Sequence, residues 1–123
     1  MEFDELSNTV IGLAIDVHKE LGPGLLENTY QQCIAYELSK EGIKFQMEAE
    51  LPVRYKEITI TCGYRIDLLI EDELIVELKV VDEIHPIHEA QLLTYMKLAK
   101  IKTGLLINFN KRFIKDGIKR LVL

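Results

Sequence analysis

The segment from Asp67 to Lys79 contains the residues whose types and spacing could do chemistry. It reads Asp67-Leu-Leu-Ile-Glu-Asp-Glu-Leu-Ile-Val-Glu77-Leu-Lys79, two short apolar strands around an acidic turn. A three-residue hairpin loop at 71–73 would bring Asp67 directly opposite Glu77. Because side chains alternate along a strand, Arg65, Asp67, Glu77 and Lys79 share one face. The other face is then apolar and comprises Tyr64, Ile66, Leu68, Ile70, Leu74, Val76, Leu78 and Val80.

Two facing carboxylates repel each other and need a cation or a proton between them. A divalent metal would supply the charge, and carboxylate oxygens suit Mg²⁺ or Mn²⁺. Lys79, on the same face, could orient a water molecule or stabilise developing negative charge. The alternative is a surface cluster of salt bridges among Asp67, Glu77, Lys79 and Arg65, because charged outer faces of sheets are common. The spacing alone leaves both interpretations open.

The composition is typical of one compact domain spanning residues 1–123. No apolar run approaches the ~20 residues that cross a bilayer, and the acidic amino terminus is unlike a signal peptide. Cys33 and Cys62 have no metal-ligand spacing, so we expect buried thiols in a reducing cytoplasm. His18 is expected on the surface of the first helix. No membrane partner is expected.

The net charge of −5 conceals an uneven distribution along the chain. Residues 97–123 contain eight basic side chains and one acid, a net charge of +7, and residues 1–96 contain seven basic and nineteen acidic side chains, a net charge of −12. The basic residues are Lys97, Lys100, Lys102, Lys111, Arg112, Lys115, Lys119 and Arg120. They could follow a phosphate backbone, or they could simply pair with acidic surface elsewhere.

Hydrophobic periodicity predicts an α/β fold with a mixed central sheet flanked by helices. Helices are expected at 4–21, 26–41 and 87–100, and strands at 44–55, 58–62, 64–70, 74–80, 103–109 and 118–123. The expected inner faces of the first two helices are Val10, Leu13, Ala14, Val17 and Leu21, and Leu26, Tyr30, Cys33, Ile34 and Leu38.

Several motifs together resemble a known family. Asp67, a turn and Glu77-Leu78-Lys79 resemble the D…(D/E)xK signature of the PD-(D/E)XK nuclease superfamily, and Gly24-Leu-Leu-Glu27-Asn-Thr-Tyr30 resembles the motif of its GxxExxY branch. The resemblance spans roughly residues 5 to 123. It also includes Gly63-Tyr-Arg-Ile-Asp67, Pro86-Ile-His-Glu-Ala-Gln91-Leu-Leu-Thr-Tyr95 and Gly104-Leu-Leu-Ile-Asn-Phe109, in the same order. Ile66 stands where the superfamily's name has proline. The resemblance implies a restriction-endonuclease-like core.

The resemblance also implies a metal site. Asp67, Glu77 and the Leu78 carbonyl would hold Mg²⁺ or Mn²⁺, and Lys79 would be catalytic. Glu27 would be a third carboxylate ligand, direct or through water. Its residue type alone has a simpler explanation, because acids in a first helical turn are favoured by the helix dipole.

The third predicted helix carries His88, Gln91 and Tyr95 on one face. Gln91-x-x-x-Tyr95 resembles the Q-x-x-x-Y motif of RecB-like nucleases, which implies a role in positioning DNA or the catalytic lysine. We expect His88 to face the site as a hydrogen-bonding group. A metal pair of His85 and His88 is disfavoured because no further ligands accompany them.

These observations predict a metal-dependent nuclease that hydrolyses phosphodiester bonds, with DNA favoured over RNA. The metal would lower the pKa of a bound water, and Asp67→Ala or Lys79→Ala would abolish activity. The alternative is a binding or regulatory module that keeps the fold without turnover, because the chain is small and largely acidic. A two-fold homodimer is a further expectation.

Overall fold

The computed structural model describes residues 4–123 and contains three helices and seven strands in that range. The helices are α1 (Glu5–Leu21), α2 (Glu27–Lys40) and α3 (Pro86–Ala99). The strands are β1 (Phe45–Glu50), β2 (Val53–Tyr55), β3 (Ile58–Ile60), β4 (Arg65–Ile70), β5 (Leu74–Lys79), β6 (Thr103–Asn108) and β7 (Ile118–Val122). A short 3-10 turn, Ile114–Gly117, precedes β7.

Five strands form one mixed sheet in the order β1-β4-β5-β6-β7. All neighbours are antiparallel except β5 and β6, which are parallel and are connected through α3. The predicted α/β fold with a mixed sheet flanked by helices is therefore confirmed. The predicted strand at 44–55 is wrong as one element. It breaks before Pro52, which has no N–H for a ladder, and β2 and β3 form a separate two-stranded hairpin.

The centre of the sheet is covered on both faces. The helices α1 and α2 cover one face, where Val10, Ile34 and Leu38 pack on Leu68 and Val76 in the first core. The helix α3 covers the other face, with Leu92 and Met96 over Ile75 and Leu106 in the second core. Gly104 lets α3 approach, because a Cβ added there would lie 2.7 Å from Met96 Sδ.

Four burial expectations are wrong. Leu21 and Leu26 are exposed, Leu26 to 78%, because they lie at the end of α1 and in the loop before α2 rather than on a packed face. Cys62 is exposed just after the β2–β3 hairpin. His18 is buried instead of exposed, and its Nε2 lies 2.8 Å from the Lys111 carbonyl oxygen.

The ends of the helices follow from local chemistry. Gly22 ends α1 with a φ of 70°, a left-handed conformation that suits glycine, and Pro86 begins α3 at the first helical position. None of the helices formed by residues 4–123 has the length and apolar character needed to cross a bilayer.

Candidate active site

The strands β4 and β5 pair only near their hairpin and then separate. The ladder runs from Ile70 opposite Leu74 to Leu68 opposite Val76, the register that the three-residue loop predicts. One step further, two side chains replace the missing ladder bonds. The Asp67 N–H donates to Glu77 Oε2 at 2.9 Å, and the Leu78 N–H donates to Asp67 Oδ2 at 2.8 Å. The predicted meeting of Asp67 and Glu77 is confirmed.

The predicted division into an apolar face and a charged face is only partly correct. Leu68, Ile70, Leu74, Val76 and Leu78 do pack together in the first core, with Val80 against it. Ile66 lies in the second core instead, and the exposed Tyr64 reaches Tyr95 of α3. The charged face also contains Ile75, which is buried under α3. Arg65 is exposed.

The backbone is distorted where Ile66 changes sides. Glu48 of β1, beside Asp67, has a φ of 53°, a left-handed conformation that is unfavourable for a residue with a side chain. The described register passes from Met47–Leu68 to Ala49–Ile66 without pairing Glu48 and Asp67. Such distortions often accompany functional sites. Beside this distortion, Ile66 packs in the second core under α3.

Gln31 of α2 joins the distorted strands. Its buried Nε2 donates to Glu48 Oε2 at 2.7 Å and to the Asp67 carbonyl oxygen at 2.9 Å. The amide thus satisfies a backbone carbonyl that β1 leaves unpaired, and it holds a further carboxylate beside Asp67. Neither Gln31 nor Glu48 could be recognised from the sequence, because neither has a characteristic spacing from Asp67.

The pKa values of both carboxyl groups are raised above their ordinary values. Burial, and then the negative charge of Asp67, raises the pKa of Glu77 to about 8, and the Glu77 side chain is only 5% exposed. Burial also raises the pKa of Asp67, with the charge of Glu48 adding to it, although the Leu78 N–H acts in the opposite direction. Lys79 lowers both pKa values without offsetting the burial. The site therefore lacks positive charge.

Glu27 lies in the first turn of α2, near the other carboxylates. Burial raises its pKa, as do the charges of Asp67 and Glu48, and the charge of Lys79 lowers it. Tyr30, on the same helix, points elsewhere: it is fully buried and stacks on Phe109 with 4.3 Å between ring centroids.

The Leu78 carbonyl faces the same gap as the carboxylates. In a strand, the N–H and C=O of one residue point to the same side, and the Leu78 N–H points toward β4. The neighbouring Lys79 carbonyl accordingly points the other way and accepts from the Phe109 N–H at 2.9 Å.

Lys79 lines a cavity of about 650 Å³ beside α3. His88, Gln91 and Tyr95 of α3 line the same cavity. Burial raises the pKa of Tyr95, and the charges of Glu77, Tyr64 and Asp67 contribute. The α3 residues predicted from sequence therefore lie beside the carboxylate site.

His88 has a defined tautomer in this cavity. Its Nδ1 accepts the His85 backbone N–H at 3.0 Å, so the proton of the neutral ring is on Nε2. Partial burial, the Lys79 charge and the His85 charge lower the pKa of His88. In the neutral ring the available donor is therefore Nε2–H, and Nδ1 is engaged at the start of α3.

The donor set suits a hard divalent cation. Asp67 and Glu77 each use one oxygen to accept a backbone N–H. Their pKa values are raised by burial and by neighbouring negative charge, and a bound cation would offset both effects. Among residues 4–123, no three Asp, Glu, His or Cys side chains form a compact metal-binding group. Mg²⁺ usually keeps several waters and uses one or two carboxylates, so the Asp67–Glu77 pair still fits.

Asn108, at the end of β6, supports the segment that follows Lys79, a role that was not predicted from the sequence. Its fully buried amide accepts the Val81 and Asn110 N–H groups and donates to the Val81 carbonyl at 2.7 Å. It fixes the chain just after Lys79. The available signal in the sequence was a single asparagine within the apolar run of residues 105–109.

A five-stranded mixed sheet between helices, with two carboxylates and a lysine where β4 and β5 separate, defines a restriction-endonuclease-like domain. The family model of the PD-(D/E)XK nuclease superfamily matches residues 4–121. The chain belongs to this superfamily. No curated protein matches the chain.

Proposed function

We propose that the protein is a metal-dependent nuclease that hydrolyses phosphodiester bonds, with DNA as its substrate. The observation that carries this proposal is the reciprocal fixing of Asp67 and Glu77 by backbone N–H groups, with Lys79 beside them. Two carboxylates held in one orientation, short of positive charge, are suited to a divalent cation and a phosphate.

Each residue has a distinct role in this proposal. Asp67, Glu77 and the Leu78 carbonyl hold Mg²⁺ or Mn²⁺, with Glu27 as a ligand directly or through water. When bound, the cation lowers the pKa of a water molecule and neutralises charge on the phosphate. The Lys79 ammonium orients that water or stabilises negative charge on the phosphoryl oxygens.

Gln91 and Tyr95 support the same site from α3. Both line the cavity into which Lys79 opens. The Gln91 amide and the Tyr95 hydroxyl offer uncharged donors and acceptors, which suit a phosphate oxygen or the lysine itself. We propose that they position the substrate strand.

A basic surface supports a nucleic-acid substrate. Lys19, Arg112 and Lys115 line a second cavity beside the Gly22-Pro23 turn. The Tyr30 hydroxyl donates to the Gly22 carbonyl, and the Tyr30 ring stacks on Phe109. The Phe109 N–H in turn donates to the Lys79 carbonyl, so buried contacts connect this cavity to β5.

The remaining basic residues divide between the two earlier interpretations. Lys111 and Lys119 pair with Glu83 at 2.7 Å and Glu89 at 3.4 Å. Lys100 and Lys102 precede β6, whereas Arg112 and Lys115 follow it, so the pairs flank opposite ends of that strand. We assign phosphate contacts only to the second pair.

We also propose that the chain belongs to the GxxExxY branch, because each motif residue has a physical reason here. Gly24 has a φ of 103° with open space around it, so its backbone conformation, not a close approach, favours glycine. Glu27 approaches the carboxylates. The Tyr30 hydroxyl donates to Gly22 at 2.6 Å and accepts the Leu25 N–H at 3.1 Å, which shapes the loop.

A non-catalytic binding module is the second candidate. One observation favours it: no compact group of three ligands is present among the described residues 4–123. In that case the fold would bind nucleic acid or protein without turnover. The single-domain organisation, cytoplasmic location and homodimer expected from the sequence stay predictions.

Calorimetric titration with Mg²⁺ and Mn²⁺, followed by incubation with single- and double-stranded DNA and RNA, tests the proposal. Asp67→Ala should lose metal binding and cleavage, and Lys79→Ala should lose cleavage while retaining the metal. Asp72→Ala and Lys102→Ala are matched controls, because both residues are exposed and lie at the opposite end of the sheet. Full cleavage by Asp67→Ala would overturn the proposal, and metal binding without cleavage would favour the binding module.

A further inference from the structure

The cavity beside Lys79 has an apolar wall that the hydrolysis of a phosphodiester does not require. Val53 and Ile87 contribute aliphatic surface, and Tyr64 contributes an exposed aromatic ring. The Tyr64 and Tyr95 rings form a T-shaped contact, with 6.3 Å between ring centroids. One face of the Tyr64 ring is therefore not used by this edge contact. Thr94 and Gln91 add hydrogen-bonding groups to the lining.

The β2–β3 hairpin extends this wall beyond the cavity. Val53 pairs with Ile60, and Tyr55 pairs with Ile58. Directly opposite residues share a face of a hairpin, as do residues two apart, so all four lie on one side. That side includes Val53 and so continues from the cavity. Tyr55 is 57% exposed, and Ile58 and Ile60 are exposed as well.

Cations accompany the exposed rings. Lys56 Nζ lies 5.2 Å from the centroid of the Tyr55 ring, and Lys79 lines the cavity itself. Aromatic surface interleaved with basic side chains is the combination with which proteins bind single-stranded nucleic acid. A protein partner would use the apolar surface but would not require a cation at both ends.

We propose that the cavity and the apolar face of the β2–β3 hairpin bind unpaired bases of the substrate. Single-stranded or locally unpaired nucleic acid is then the substrate class of this site. The inference rests on the proposed function, because it places the scissile phosphate at Asp67, Glu77 and Lys79. A base within a duplex is stacked on both faces and exposes only its edges, so only an unpaired base can lie against Tyr64.

Binding measured without divalent cations tests this inference apart from cleavage. Fluorescence anisotropy would compare a labelled DNA strand, its duplex, and a strand of the same length made of abasic sites. We expect the single strand to bind more tightly than the duplex. Tyr64→Ala and Tyr55→Ala should each weaken binding of the single strand about fivefold or more, the range of base–aromatic stacking.

The variants have matched controls. Tyr36 of α2 is 62% exposed, with Lys40 Nζ 5.6 Å from its ring centroid, so it reproduces the Tyr55–Lys56 arrangement on another surface. Tyr36→Ala should change affinity less than about twofold. Tyr64→Phe keeps the ring and should keep the affinity. On the abasic strand, Tyr64→Ala should bind as the wild type does.

Two results would overturn the inference: equal affinity for duplex and single strand, or an equal loss by Tyr64→Ala on the abasic strand. Adding Mg²⁺ or Mn²⁺ then separates the two proposals. Base-dependent binding without any cleavage would leave the base site standing and refute the nuclease. Cleavage with equal affinity for the single strand, the duplex and the abasic strand would support the nuclease and refute the base site.

Discussion

Replacing Glu77 by glutamine should make the protein more stable while removing a carboxylate ligand of the proposed metal site. The pKa of Glu77 rises from an ordinary 4.5 to about 8, because the carboxyl is buried next to Asp67. Near pH 7 the folded protein therefore keeps Glu77 mostly protonated, whereas the unfolded chain ionises it. Ionisation thus favours the unfolded state, and glutamine, a neutral side chain of the same shape, cannot ionise.

The magnitude follows from linkage. One pH unit corresponds to about 1.4 kcal/mol for one proton, so ionisation of the unfolded chain from 4.5 to pH 7 costs about 3 kcal/mol of stability. The sign is that of an acid with a raised pKa: the stability is fully present below about pH 4.5 and is lost as pH rises toward 8. We expect Glu77→Gln to raise the free energy of unfolding by about 2 to 3 kcal/mol near pH 7.

Urea unfolding with a chelator, at several values from about pH 5 to pH 8, measures this effect. The wild-type free energy of unfolding should fall by as much as about 1.4 kcal/mol per pH unit from this group, and that part of the slope should vanish in Glu77→Gln. Glu73→Gln, in the exposed hairpin loop, should stay within about 0.5 kcal/mol of the wild type. A less stable Glu77→Gln, or an unchanged slope, would refute the reasoning.

Three further predictions concern the metal and the edge of the sheet. Mg²⁺ affinity should rise by up to about tenfold per pH unit below about pH 8, because binding displaces the Glu77 proton, and pH-independent calorimetry would contradict this. Gly117→Ala should cost about 1 to 3 kcal/mol in urea unfolding, since its Cβ would overlap the Asn108 carbonyl, whereas Gly12→Ala has open space and should stabilise α1 by up to about 1 kcal/mol. Asn108→Ala should cost about 2 to 3 kcal/mol, because both Val81 backbone groups lose their partner, and a loss under about 0.5 kcal/mol would show that water replaces the amide.

The hairpin of β4 and β5 could be predicted because its register depends on local sequence alone. A three-residue loop and a side-chain period of two fix which residues oppose one another, so Asp67 and Glu77 had to meet once the hairpin formed. The helices were predictable for the same reason, since Val10, Leu13 and Val17 mark the buried side of α1 by their spacing.

Residues that meet across the fold could not be predicted in this way. Gln31 bonds Asp67, which is 36 residues away in the sequence, and Glu48, which is 17 residues away. No periodicity connects these residues. The buried His18 has a hydrogen-bond partner, the Lys111 carbonyl, that lies 93 residues further along the chain. The position of His18 on a helix face gave no sign of that partner. Ile66 lies in the second core rather than on its predicted face, beside the positive φ of Glu48, and the period of two gave no sign of that irregularity.

The sequence by itself determined the chemistry of this protein: two carboxylates, a lysine and the strand register that brings them together. Local spacing is enough for that, because backbone geometry is the same in every hairpin. Only the tertiary structure decided the surroundings, namely the glutamine and glutamate beside Asp67, the cavity under α3 and the basic residues at one end of β6. Those surroundings set the burial that raises the pKa of Glu77, and burial depends on how whole helices pack on the sheet.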